Sequence, residues 1–133
     1  MRRRLGLLAA CAVLLATQLA CTPEQWQIVC EHVAADDAAH DPDVCRWLPG
    51  IAERWPVEEW GNALIIVRYE SHGQPDAANW GDPSGGSHGL FQINGVHGYT
   101  VEAMRNPDAN MDAAHRLWLK QGWRPWAAKR FLR

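Results

Sequence analysis

The 133-residue chain has no acidic residue before Glu24, and its opening carries no charge beyond Arg2, Arg3 and Arg4. After those arginines, Leu5 to Ala20 is apolar and broken only by Thr17 and Gln18. The run is too short and too abruptly ended for a membrane span, so residues 1–20 are expected to be a secretory signal. Beyond it there is no excess of positive charge: ten basic residues face fifteen acidic ones, a net −5. A nucleic-acid partner, which needs a basic surface, is therefore not expected. No His-Glu-x-x-His or comparable spacing links the six histidines, His72, His88 and His97 included, so neither a metal nor a cofactor is expected. Gly85-Gly86-Ser87-His88-Gly89 is glycine-rich but lacks the lysine and following helix of a phosphate loop. There is no internal repeat and no low-complexity linker, and the length suits one domain.

Cysteine is scarce too. Of the four, Cys11 would leave with the signal. Cys21 directly follows Leu19-Ala20, where a bacterial lipoprotein is acylated, although Gln18 occupies a position at which leucine is usual. Two readings stay open: lipidation of Cys21 with membrane anchoring, or an ordinary export signal. Cys30 and Cys45 remain. Export to an oxidising compartment permits their disulfide, and closing such a loop would stabilise by roughly 3 kcal/mol. Metal ligation by two cysteines so far apart is the weaker alternative. Charge is also uneven along the chain. Residues 113–133 hold six basic residues and no acid, whereas residues 22–112 hold four basic and fifteen acidic. The basic end suits contact with an anionic polymer or simply a solvated helix end.

What is present reads mostly as helix. Thr22-Pro23-Glu24-Gln25 is a start signal, with Thr as cap, Pro at the first helical position and Gln25 completing a capping box. That helix is expected to run through Cys30 into the Ala/Asp stretch before His40, and Asp41-Pro42 to open a short helical turn containing Cys45. Pro56-Val57-Glu58-Glu59 starts a central helix with acids in its first turn, reaching Ser71 and stopping at Gly73. Residues 74–88, rich in Gly, Pro, Asp, Asn and Ser, predict a loop. Gly89 to Ile93 is a short apolar segment that suits a strand. Thr100 caps a brief helix, and Asn106-Pro107-Asp108 opens a longer one ending at Gln121 before Gly122. Met111, Ala114 and Trp118 recur at helical spacing on its core face. The expected fold class is α+β, mainly α, with a minor strand element.

Glu70 stands out because it continues the apolar stripe of Ala63, Ile66 and Val67 to the far end of the central helix. Desolvation and the negative end of the helix dipole both disfavour its charge there. A carboxyl so placed is a better proton donor at neutral pH. The plain alternative is a glutamate that bends into water at a frayed helix end.

Three segments taken together favour the first. Glu70-Ser71, then Gly89-Leu90-Phe91-Gln92-Ile93-Asn94, then Asn106-Pro107-Asp108-Ala109-Asn110 resemble the soluble lytic transglycosylase domain of the lysozyme-like superfamily. The likeness covers about residues 55–126. It implies a lysozyme-like fold with a small β element beside the catalytic helix. Residues 21–54 would form an N-terminal helical segment holding Cys30 and Cys45, and residues 55–133 the transglycosylase domain. It also implies that Glu70 is the general acid that protonates the glycosidic oxygen between N-acetylmuramic acid and N-acetylglucosamine. Ser71 would hydrogen-bond near the glutamate or the sugar. Gln92 would line the cleft, Phe91 would join the substrate-binding residues, and Asn110 would contact glutamate or substrate.

Most glycosidases use two carboxylates. Animal-type lysozymes have a similar Gly-x-x-Gln-Ile-Asn segment with an Asp two residues before the Gly, where this chain has Ser87. Lytic transglycosylases manage with one Glu, which first donates a proton and then takes one from the sugar's own C6 hydroxyl, leaving a 1,6-anhydromuramyl end. The absence at Ser87 favours that route. Asp76 and Asp82, in the loop after the helix, are candidates for a second carboxylate or plain turn residues. The Tyr-Asn motif common late in these transglycosylases is missing, and Trp123-Arg124-Pro125-Trp126 stands there instead. Among the eight tryptophans, Trp80, Trp123 and Trp126 are candidates to stack on sugar rings, while Trp60 and Trp118 sit at core spacing. The expectation is an exported, monomeric enzyme acting on peptidoglycan glycan strands, lipid-anchored if Cys21 is acylated. A water-using muramidase and a wall-binding lipoprotein without turnover are the rivals.

Overall fold

Thr22 opens the first helix. Its hydroxyl accepts from the Gln25 amide and the Gln25 side chain accepts from the Thr22 amide, with Pro23 in the first turn. Two otherwise orphaned backbone donors are satisfied by residues three apart, which is why so short a signal is readable. The computed structural model describes residues 21–34 and 41–132, and there α1 spans Pro23–Val33. The helix does not run on into the Ala/Asp stretch as expected: it stops at Val33, and Ala34 takes extended backbone (φ −75°, ψ 123°) that breaks the helical pitch. The secretory signal, residues 35–40 and residue 133 lie outside the described residues. Asp41 caps α2 (Pro42–Cys45), accepting from the Asp43 amide. The Cys30–Cys45 disulfide then ties α1 to α2.

A further short helix, α3 (Leu48–Ala52), follows. Pro56 turns the chain, but into a 3-10 turn, η1 (Val57–Glu59), and the α-helix expected from Pro56 begins only at Trp60. Val57 and Glu58 face solvent, whereas the Trp60 indole is buried and donates to the Trp55 carbonyl at 2.8 Å, so burial and the α pitch start together. Helix α4 (Trp60–Ser71) is the centre of the molecule, with Ala63, Leu64, Ile66 and Val67 fully buried. His72 already takes the left-handed conformation (φ 52°) and Gly73 follows at φ 75°. A side chain at Gly73 would collide with the Asp43 carbonyl, so glycine is required where α4 ends against α2.

The segment read as a loop contains two strands of two residues, β1 (Ala78–Asn79) and β2 (Ser87–His88), and β3 is Ile93–Asn94. They form an antiparallel sheet in the order β1-β2-β3, with Ala78 opposite His88 and Ser87 opposite Asn94. The strand expected over 89–93 is mostly a turn. Gly89 (φ 79°) and Gln92 (φ 48°) both sit in left-handed backbone, which no strand allows. A 3-10 turn η2 (Gly95–His97), α5 (Val101–Arg105) capped by Thr100, α6 (Pro107–Gln121) capped by Asn106, and η3 (Ala127–Phe131) complete the chain.

One hydrophobic cluster joins all of this. It runs from Trp26 and Val29 of α1 through Ile51 and α4 to Leu90, Phe91, Met111 and Trp126, across the boundary expected near residue 55. Met111 and Ala114 are buried in it and Trp118 packs against it, as their spacing predicts. The described chain is mainly helical with one small antiparallel sheet, an α+β arrangement. Its consequence is positional: the end of α4 meets the sheet on one side and η3 on the other.

Candidate active site

Where those three parts meet there is an open cleft of about 540 Å³. Tyr69 and Glu70 come from the last turn of α4, Asp82 from the loop, Ser87 and Asn94 from the sheet, and Trp126 with Ala127 from the chain's last turn. Gln92 and His97 also reach it. Of the candidates named from sequence, Glu70, Asp82, Gln92 and Trp126 are therefore brought together.

Glu70 is half-buried, with the apolar stripe of Ala63, Ile66 and Val67 behind it. Burial is the main cause that pushes its carboxyl above the ordinary value, and the nearby charge of Asp82 pushes the same way. A hydrogen bond from the Ala128 backbone works against them without cancelling them. The result is a carboxyl that holds its proton to higher pH than a solvated one, facing a cleft: the property a proton donor needs.

Asp82 is held by two donors, the Ser87 hydroxyl at 2.6 Å and the Asn79 amide at 3.1 Å. Asn94 in turn donates to Ser87 at 3.2 Å, so β2 and β3 both brace the loop carboxylate. Ser87 itself has no carboxylate, yet its hydrogen bond brings one to its side from five positions earlier. Neither this approach nor the entry of Asn94 and His97 into the cleft was readable from local pattern. The only available sign was the density of turn formers between Pro75 and Gly86, which predicts sharp reversals without saying where they lead.

Several expected contacts are not made. Ser71 is 4% exposed and its hydroxyl donates to the Val67 carbonyl while accepting from the Gly73 amide. It finishes the helix and lies outside the cleft. Asn110 is 0% exposed and touches neither Glu70 nor the cleft. Its side chain accepts from the Phe91 amide at 2.8 Å and donates to the His88 and Met104 carbonyls at 2.9 Å each. It is the peg that holds the 88–91 turn against α6. Phe91 points inward, its ring 5.3 Å from Trp55, and its carbonyl accepts from the Trp126 indole at 2.8 Å in a buried hydrogen bond. Trp80 is 64% exposed and set edge-on to His88, beside the cleft but outside its wall. Asp76 is exposed and does not line the cleft.

Gln92 serves both sides. Its amide donates to the Ala77 and Gly89 carbonyls at 3.0 Å each, closing the turn onto β1, while the residue lines the cleft. Cys21 packs at the margin of the core. Compared with protein-family models, curated proteins and solved structures, the chain matches none.

Proposed function

We propose that the protein is an exported peptidoglycan-cleaving enzyme of lysozyme-like fold. It breaks the β-1,4 bond between N-acetylmuramic acid and N-acetylglucosamine by non-hydrolytic transglycosylation. The observation that carries the reading is Glu70: a carboxyl of raised pKa at the end of a buried helix, opening into a cleft large enough for sugar rings. The likeness of Glu70-Ser71 and of the Gly89–Asn94 segment to lytic transglycosylases supplies the chemistry. Glu70 donates its proton to the glycosidic oxygen as the C1–O bond breaks. Its carboxylate then takes the proton of the C6 hydroxyl as that oxygen bonds C1, and the anhydro end leaves with no water consumed. The ligand is a glycan strand acted on by a monomer. The Cys30–Cys45 disulfide supports an oxidising compartment.

A second reading has its own observation. Asp82 reaches the cleft and its charge is felt by Glu70. A second carboxylate so placed would stabilise the sugar cation or position a water, giving hydrolysis. Mass analysis of muropeptides released from purified peptidoglycan separates the readings. Anhydro ends are expected; reducing ends would favour hydrolysis, and binding without release would point to a wall-binding protein.

A further inference from the structure

Tyr69, the residue before Glu70, lines the cleft and is 49% exposed. Its ring lies flat on Phe131, centroids 4.0 Å apart and planes 11° from parallel. The Arg130 guanidinium stands 4.8 Å from the centre of the Phe131 ring. Phe131 is itself 39% exposed, so this stack is not part of the core. Arg130 makes no ion pair among the described residues, whose salt bridges involve only Arg54 and Arg68. Lys129 and Arg124 beside it spend hydrogen bonds only on backbone carbonyls. A ligand in the cleft thus meets carboxylates at Glu70 and Asp82 and uncompensated positive charge past Tyr69.

Resting on the function proposed above, we infer that Tyr69, Phe131 and Arg130 form a ledge at the cleft mouth for the carboxylates of the peptide stem on N-acetylmuramic acid. The pairing follows from chemistry. A flat aromatic face accepts the apolar side of a sugar ring or a peptide methyl, and a planar guanidinium grips carboxylates two-pronged. Among the parts of a glycan strand, N-acetylglucosamine is neutral and a stripped N-acetylmuramic acid keeps one lactyl carboxylate close to its ring, whereas the stem carries several carboxylates that reach farther out. The ledge selects strands that still bear peptides over strands already stripped of them.

The test measures affinity by calorimetry in a Glu70→Gln background, which holds ligand without turnover. The probes are a tetrasaccharide of alternating N-acetylglucosamine and N-acetylmuramic acid with its stem peptides, and the same tetrasaccharide without them. The peptide-bearing ligand is expected to bind about two- to fivefold more tightly, the range of a partly exposed ion pair. Adding Arg130→Gln should abolish that preference by weakening the peptide-bearing ligand more than the stripped one, with the melting temperature unchanged, and about 0.5 M salt should shrink it. Equal affinity for the two ligands, or a preference that survives Arg130→Gln, overturns the ledge. Wild-type digestion of whole peptidoglycan, run in parallel, keeps the proposals apart. Cleavage with no stem preference removes the ledge alone, whereas neither cleavage nor binding removes the function with it.

Discussion

Glu70 is a liability to the fold, and that has a measurable sign. Below its ordinary pKa of 4.5 the carboxyl is neutral in both folded and unfolded chains and costs nothing. As pH rises past that value the unfolded chain releases the proton while the folded one retains it, so stability falls until the raised pKa is passed and stays lower at neutrality. Glu70→Gln should therefore melt at a higher temperature than wild type at pH 7, with the gain gone by about pH 3. A variant that melts lower at both would contradict the burial argument. The same substitution should reduce turnover by about 10²- to 10⁴-fold, the usual worth of a positioned acid. Asp82→Asn probes the neighbour. Removing its charge lowers the pKa of Glu70, so the alkaline limb of the pH–rate profile should move to lower pH. If Glu70 works alone, anhydro products persist and the peak rate falls less than about tenfold; a loss of about a hundredfold or more would side with hydrolysis. The burial of Glu70 was legible because it depends on residues three, four and seven positions back on one helix. Which of Asp76 and Asp82 would reach the cleft was not, because it depends on the hold of Ser87 and Asn79 on Asp82 across a sheet.

Among the elements, the turn from His88 to Gln92 sets the height of the cleft wall, and Asn110 sets the turn. Asn110→Ala leaves the Phe91 amide and the His88 and Met104 carbonyls without their partner in the interior. A cost of about 3 kcal/mol is expected, within the range for stranding buried polar groups, and urea unfolding would read it as a lower midpoint. Retained stability would mean that water replaces the amide. Gly89 shows why this turn could not be read as a strand break in advance: its left-handed φ could be guessed from glycine, but a side chain there would meet the Met104 carbonyl and the Asn110 amide. Caps behave in the opposite way. Thr22 with Gln25, and Asn106 with the Ala109 amide, join residues three apart, so α1 and α6 begin where the sequence says. Ser71, Phe91 and Asn110 form the instructive group: their motif positions were recognisable, yet all three lie below the cleft and shape it from behind. A motif marks a constraint without saying which side of the wall it acts on.

For the molecule as a whole, a single core joined across residue 55 implies a single transition. Reducing the Cys30–Cys45 disulfide, whose ends are 15 residues apart, should remove roughly 3 kcal/mol and shift one cooperative unfolding curve to lower denaturant. Two separated transitions would show that α1 and α2 are an independent unit. The aromatic centre carries a different kind of consequence. Trp55 lies nearly parallel to Trp123 with centroids 5.9 Å apart, and Trp126 is 5.4 Å from Trp123 while also forming part of the cleft wall. Excited states on indoles this close mix. The near-ultraviolet dichroism of the protein should carry a coupled signal from this group, and anything that seats against Trp126 should alter both that signal and the emission. Occupancy of the cleft can then be followed by light alone, with no label attached.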